Sequence, residues 1–218
     1  MSIYKKLQPQ ARATCLMIVA LFMFTVMGIC IRLSAAHLPV IEVVFFRNFL
    51  AVLILLPLLA RAGFSVLHMH RPKLFLLRAA VNSVGMFCGF TALTMIPLAQ
   101  MTALSFTTPL FVTIGAVLFL GEVIRARRVA AIGIGFLGTL IILHPGVVDV
   151  TSGSLLALVH ALTIATASVI VKVLTRSDSQ HAIVTWMVIM QTPVALIPSL
   201  WVWQWPDLLT WGFLWGMA

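Results

Sequence analysis

The stretch that decides the fold occupies residues 98–145 and reads LAQMTALSFTTPLFVTIGAVLFLGEVIRARRVAAIGIGFLGTLIILHP. Its first part, residues 98–120, carries no charged side chain, and residues 129–143 are again apolar. Three arginines lie in the connection between these two runs. A buried core helix would explain one such run. Two consecutive runs with cations confined to their connection predict two membrane-spanning helices.

The composition of the whole chain supports the same class. Apolar residues make up 62% of its 218 residues and charged residues 9%, whereas a soluble domain is about half apolar and about a quarter charged. This bias predicts an all-α integral membrane protein, a multi-span helical bundle whose main partner is the lipid bilayer. The formal net charge of +9 comes from cations scattered between hydrophobic runs, so no nucleic-acid partner is predicted.

Eight apolar runs follow a short polar N-terminus at residues 1–12. We expect the first run to be an uncleaved span, because it exceeds the roughly 7–15 residues of a signal-peptide core and Arg32 follows it directly. The eighth run is about half a span long, which predicts a truncated chain or an incomplete final helix. The runs occupy residues 13–31, 39–59, 74–95, 98–120, 129–143, 154–174, 181–201 and 208–218.

The distribution of lysine and arginine predicts the direction of the spans. Twelve of the fourteen lie in the N-terminus or in the links after the second, fourth and sixth runs. The alternate links have none when Arg32 is assigned to the end of the first run. Because positively charged links remain in the cytoplasm, this alternation predicts a multi-pass protein of the cytoplasmic (inner) membrane with a cytoplasmic N-terminus.

Arg47 is the residue that most clearly suggests a function. It follows Pro39 by about eight residues, or roughly 12 Å along a helix. An arginine at the membrane centre costs about 2.5–3.5 kcal/mol, so Arg47 should face the bundle interior, water or a partner. It could bind a substrate carboxylate or phosphate. It could equally be held by Glu42, or by backbone carbonyls at a kink near Pro109.

Other polar side chains inside the runs are candidates for a substrate cavity. Hydroxyls of the fourth run could line such a cavity or bond their own helix backbone, and both alternatives stay open. His160 could exchange a coupling proton, but a neutral histidine bonded to its own helix is favoured. Gly85 and Gly89 form a small-xxx-small pair that allows another helix to approach closely. The cavity candidates are Arg47, Asn48, Asn82, Gln100, Ser105, Thr108, His160 and Gln191.

Three further motifs are interpreted as structural features that bind no ligand. Glu122 should pair with Arg125 and Arg128 and so shape the turn between the fourth and fifth runs. The His-x-His pair at residues 68–70 has no third ligand nearby, so no metal site is predicted. Residues 133–138 match the dinucleotide pattern Gly-x-Gly-x-x-Gly, but they lie within an apolar run and not between a strand and a helix. No cofactor is therefore predicted.

Four motifs together resemble a known family. They are EVVFFR at residues 42–47, AQMTALSFTTPLF at 99–111, LGE at 120–122 and the glycine-rich fifth run that ends in Pro145 and Gly146. In this order they are similar to the EamA-type branch of the drug/metabolite transporter superfamily. The resemblance implies ten spans in two inverted five-helix repeats. Residues 13–146 would form the first repeat, and residues 153–218 an incomplete second repeat.

The resemblance implies a secondary transporter that moves a small organic metabolite or drug-like solute across the membrane. A proton or ion gradient, or the gradient of the solute itself, would drive it, and the oligomeric state stays open. One alternative is a truncated, non-transporting membrane remnant or assembly module. An intramembrane enzyme is disfavoured, because Ser83 lacks the flanking glycines of Gly-x-Ser-x-Gly. The motif Phe45-Phe46-Arg47 is also similar to family members that take up S-adenosylmethionine.

Overall fold

The computed structural model of the protein describes residues 9–62, 68–121, 123, 126–143 and 151–217. Within these ranges the chain forms helices joined by short links and contains no β-strand. The helices are α1 (Pro9–Ser34), α2 (Val40–Ala62), α3 (Pro72–Met95), α4 (Leu98–Ser105), α5 (Thr108–Leu120), α6 (Ala126–Leu143), α7 (Ser152–Leu174), α8 (Gln180–Ser199) and α9 (Leu208–Met217).

The helix lengths confirm a multi-span helical membrane protein. Among the described residues, six stretches are long and apolar enough to cross a membrane. They correspond to the predicted runs one to four, six and seven. The fifth and eighth runs contain the shorter apolar helices Val129–Gly138 and Leu208–Met217.

The fourth run differs from the sequence prediction, because it is two helices and not one kinked helix. Helix α4 ends at Ser105, and a turn at Phe106 and Thr107 precedes α5. Pro109 thereby lies in the first turn of α5, where its missing N–H removes no helical hydrogen bond. Helix α5 ends at Gly121, whose φ of 65° is left-handed and therefore suits glycine.

Two links of the chain have the same hydrogen-bond pattern. The link from α1 to α2 and the link from α7 to α8 each turn through four residues with equivalent backbone bonds. In the first link, the backbone N–H of Ala35 donates to the carbonyl of Ile31, that of Ala36 to Leu33, and those of His37 and Leu38 both to Ser34. In the second link, the backbone N–H of Thr175 donates to the carbonyl of Val171, that of Arg176 to Val173, and those of Ser177 and Asp178 both to Leu174.

The helix contacts follow the same correspondence. Helix α3 packs on α7, α1 packs on α9, and α2 packs on α8. If α1, α2 and α3 correspond to α7, α8 and α9, these contacts are the set that a twofold axis between α2 and α8 would produce.

Contacts between links define two ends of the bundle. At one end, which we call the cation-poor end, Arg32 Nη2 donates to the carbonyl of Ile96 (2.7 Å) and Glu42 Oε1 accepts from the backbone N–H of Gln204 (2.8 Å). At the other, the cation-rich end, Asp178 contacts His70, which precedes α3. These contacts agree with the alternating direction of the spans that the cations predict.

Candidate functional site

Arg47 lies on α2, is half-buried and faces α3. Its Nη1 atom is 3.3 Å from Oδ1 of Asn48 and 3.7 Å from the sulfur of Met86. Asn48 is fully buried, and its Nδ2 atom donates to the carbonyl of Val44 at 3.0 Å. The Nε atom of Arg47 is buried without a hydrogen-bond partner. Within the described part of the chain, no carboxylate pairs with this guanidinium.

Neither of the two structural partners considered for Arg47 contacts it. Glu42 accepts a hydrogen bond from the backbone of Gln204 instead. The carbonyl of Pro109 accepts from the hydroxyl of Thr113 at 2.8 Å. A buried cation without a compensating charge costs several kcal/mol. An anionic or strongly accepting partner would therefore stabilise the guanidinium of Arg47.

Gln191 is the second incompletely paired group. It is fully buried in α8, and neither its amide nitrogen nor its amide oxygen has a partner among the described residues. It lies one turn before Ala195, which packs with Phe46 and Met86 in one apolar cluster. Measured along their helices, Arg47 lies roughly 10 Å and Gln191 roughly 12 Å from the cation-poor end. Both groups therefore occupy the same layer of the bundle.

His160 belongs to this layer through the contact of α3 with α7. Its Nδ1 atom is 2.7 Å from the carbonyl oxygen of Gly85, which can only accept, so Nδ1 carries the proton. The expectation that His160 bonds its own helix is wrong, because the acceptor lies on α3. The glycine pair does allow close approach. A Cβ atom at Gly89 would lie 2.5 Å from Nδ1 of His160, and one at Gly85 would overlap Thr163.

The remaining candidates lie elsewhere or have local partners. Gln100 Nε2 donates to the hydroxyl of Ser154 at 3.0 Å, which joins α4 to the start of α7. The Ser105 hydroxyl donates to the carbonyl of Thr102 at 2.6 Å. Asn82 and Thr108 are half-buried, and no hydrogen bond of their side chains occurs within the described ranges. For Ser105 the structure thus shows a bond to its own helix.

The predicted charge pairing at the fourth turn cannot be followed in the structure. Glu122 and Arg125 lie outside the described residues. Arg128 lies in α6, but its side chain is outside the description as well.

A separate apolar cavity of about 510 Å³ lies between α3, α5 and α7. Its wall is aliphatic and aromatic apart from Thr166, and it includes Leu77, Phe111, Phe119 and Val169. None of the polar candidates lines it. An apolar ligand portion or a lipid chain suits this lining, whereas a charged group does not.

Sequence reasoning missed contacts that depend on distant partners. Arg78 is buried, and its Nη1 atom donates to the carbonyl of Ile183 at 3.0 Å, which ties α3 to α8. Asp178 accepts from the backbone N–H of His70 (2.8 Å), from the His70 ring (3.1 Å) and from the Ser177 hydroxyl (2.7 Å). Burial opposes ionisation of Asp178, but these hydrogen bonds outweigh it and lower its pKa. The sequence shows only that Arg78 lies in an apolar run and Asp178 in a link, and it does not identify their partners.

The comparisons with known proteins define the class. Residues 11–144 match the EamA-like transporter family, and the chain belongs to this family, which confirms the resemblance. It is 33% identical over 156 residues to a riboflavin transporter of Rhizobium johnstonii, covering 72% of this chain and 52% of that protein. No solved structure shows significant similarity to the chain.

Two further relatives are named as transporters of other substrates. The chain is 32% identical over 187 residues to the pseudopaline exporter CntI of Pseudomonas aeruginosa, covering 85% of this chain and 65% of the exporter. It is 28% identical over 193 residues to an S-adenosylmethionine uptake transporter of Rickettsia prowazekii, covering 88% and 66%. The chain therefore spans between about half and two thirds of the length of these relatives.

Proposed function

We propose that the protein is a secondary transporter that moves a small organic solute across the cytoplasmic membrane. Family membership and the transporter names of its relatives support this function over catalysis. The relatives include both importers and exporters by name, so the proposal leaves the direction of transport open. Residues 13–146 are proposed as the first inverted repeat and residues 153–218 as part of the second.

One observation carries the assignment of the site. Arg47 is a half-buried cation that pairs with no carboxylate among the described residues, and Asn48 and Gln191, whose amide has no partner there, lie at a similar depth. An ionisable residue within a membrane span is rare and typical of a solute or ion pathway. We assign Arg47, Asn48 and Gln191 to the solute site. A solute with a carboxylate or phosphate would give the guanidinium the charged acceptor that it lacks.

The orientation is proposed on the cation distribution alone. The links at the cation-rich end would face the cytoplasm, and so would the N-terminus. Single cysteines at Ala36 and at Ser179, in a background without the three native cysteines, should then react with an impermeant thiol reagent from opposite sides of the membrane. Labelling of both from one side would contradict the alternating topology.

Flux into proteoliposomes tests the function directly. Labelled riboflavin and S-adenosylmethionine are the first solutes to try, followed by other carboxylated and phosphorylated metabolites. Arg47→Ala should lower uptake by roughly ten- to a hundredfold, because a hydrogen bond to a charged group contributes about 1.5–3 kcal/mol. Arg176→Ala removes the same charge at an exposed position and should leave uptake unchanged.

The outcomes separate the alternatives. Normal uptake by Arg47→Ala would remove this residue from the solute site while leaving the transporter function in place. Absence of flux for every solute, with the protein folded and inserted, would favour the non-transporting assembly module.

A further inference from the structure

Glu42 is a buried acid whose two oxygens have very different surroundings. The residue lies in the first turn of α2 and is 0% exposed. Oε1 accepts the backbone N–H of Gln204 at 2.8 Å, whereas Oε2 is buried and has no partner within the described part of the chain. The carboxyl group thereby attaches the segment between α8 and α9 to the start of α2.

Aromatic side chains pack at the same contact between α2 and the segment that joins α8 to α9. Trp203, the neighbour of Gln204, packs against Phe45 and Phe46 with ring centroids 5.7 and 5.5 Å apart. Trp211 contacts the Phe46 ring at 5.3 Å. Glu42 and its Oε2 atom are inaccessible to solvent in this arrangement.

Asp178 makes a comparable contact at the opposite end, and it is satisfied in a different way. It lies in the link after α7 and holds the segment before α3, whereas Glu42 lies in the first turn of α2 and holds the segment before α9. Both Asp178 oxygens accept hydrogen bonds, three in all. That environment suits an ionised carboxylate. The environment of Glu42, with a single donor, suits the neutral acid.

Within the described residues no cation pairs with Glu42. The titratable and charged groups on the surrounding segments are Arg47 on α2, His37 in the α1–α2 link, Asp207 before α9 and Arg32 at the end of α1. Arg32 is bound to the carbonyl of Ile96, and none of the four hydrogen-bonds or ion-pairs with Glu42 in the described structure. Helices α3 and α8 carry their charged side chains near the cation-rich end. An ionised Glu42 would therefore be a buried charge with one hydrogen bond, which is costly.

We propose that Glu42 is the proton-binding site of the transporter, protonated while the cation-poor end is closed and deprotonated when that end opens. The step breaks the O–H bond of the carboxylic acid at Oε2 and transfers the proton to water that enters as Trp203 and Gln204 move away. The carboxylate left behind is hydrated, so the end stays open until a proton rebinds. This inference deepens the proposed transport function, because it supplies the coupling ion.

Infrared spectroscopy of the protein in lipid vesicles tests proton binding without a solute. A protonated carboxylic acid has a C=O stretching band that a carboxylate lacks. At neutral pH the wild-type protein should show this band, and alkaline pH should remove it. Glu42→Gln should lack the band, whereas Asp178→Asn should retain it, because Asp178 is ionised at neutral pH. Glu42→Gln keeps an acceptor for Gln204 and is close in shape.

Isotope labelling provides a measurement that needs no variant at position 42. The chain has two glutamates, Glu42 and Glu122. With ¹³C-carboxyl glutamate the band should shift in the wild type and in Glu122→Gln alike. A neutral-pH wild type without the band, a band that persists in Glu42→Gln, or a band insensitive to glutamate labelling would each overturn the proposal. Because this readout involves no solute, its failure is distinct from an absence of flux.

Discussion

The α3–α7 and α1–α9 interfaces, which the proposed repeat would relate, differ in how tightly they pack. Each presents two glycines four residues apart, Gly85 and Gly89 on α3 and Gly212 and Gly216 on α9. Added Cβ atoms on α3 would overlap Thr163 or the His160 ring. On α9, no atom of the described residues lies within 4 Å of such an atom at Gly212, and the Cys30 sulfur lies 3.2 Å from one at Gly216. The same spacing thus permits close packing without ensuring it.

The ends of the two interfaces also differ in how closely an acid and a histidine approach each other. His70 before α3 contacts Asp178 after α7, with the ring nitrogen and Oδ1 3.1 Å apart. At the equivalent place, Asp207 precedes α9 and His37 follows α1, so that acid and base are exchanged. The backbone N–H of Thr210 donates to Asp207 Oδ1 at 3.1 Å. Contacts with Thr210, and to a smaller extent the more distant charge of His37, lower the pKa of Asp207. The acid and the histidine are thus in direct contact at the α3–α7 interface, whereas no hydrogen bond joins Asp207 to His37 within the described residues.

Gly89→Ala should distinguish the two interfaces most strongly. The new methyl group would meet the His160 ring, and overpacking of this kind costs roughly 1–3 kcal/mol. Gly212→Ala, the matched control on α9, adds the same group where space is open and should be neutral or slightly stabilising. Unfolding in detergent mixtures, followed by tryptophan fluorescence, measures both. Equal effects of the two substitutions would show that the interfaces do not differ in tightness.

Asp178→Asn should have the next largest effect, and its effect should depend on pH. The folded-state pKa of Asp178 lies below its ordinary value of 3.8. Its ionised form therefore stabilises the fold above that value, and the contribution is lost as the pH falls through the folded pKa. At neutral pH the substitution should cost about 1–2 kcal/mol, because it removes a charge that accepts three hydrogen bonds.

The control for this substitution is Asp207→Asn at the equivalent end. Asparagine is as good a helix N-cap as aspartate, so the stability should change little. Unfolding measured from neutral pH down to below the ordinary aspartate pKa should show an acid-dependent loss of stability in wild type and a slightly smaller loss in Asp207→Asn, because Asp207 is exposed and contributes little. Asp178→Asn should lack most of that loss. A parallel pH profile for all three proteins would assign the acid sensitivity to other groups.

The comparison also shows how far the sequence alone predicts the fold. Apolar runs and cation placement predict the helices, because both follow from the bilayer and need no knowledge of neighbours. The same holds for the glycine pair at Gly85 and Gly89, whose spacing places both on one face. The turn at Phe106 and Thr107 was predicted only as a kink, because Pro109 weakens a helix without fixing whether the chain bends or breaks.

The site is less accessible to sequence reasoning, because its chemistry depends on partners far apart in the chain. The depth of Arg47 follows from its distance to the helix start, but its contact with Met86 depends on how α2 packs on α3. Asp178 and Glu42 look like ordinary helix-end acids, and only the folded arrangement brings His70 and Gln204 to them. Gln191 was predicted as a candidate for its polarity, whereas its lack of partners is visible only in the structure.

Gly216→Ala should have the smallest effect and gives the finest test of the comparison. A Cβ atom 3.2 Å from the Cys30 sulfur is tight, but Cys30 is only half-buried and α1 is largely exposed along its length, so the helix can shift. We expect a cost below about 0.5 kcal/mol, well under that of a rigid overpacked site. Combining Gly216→Ala with Cys30→Ala should remove this cost, since the double variant has no atom to overlap. A cost that equals that of Gly89→Ala, and that Cys30→Ala relieves, would mean that α1 is held as rigidly against α9 as α7 is against α3.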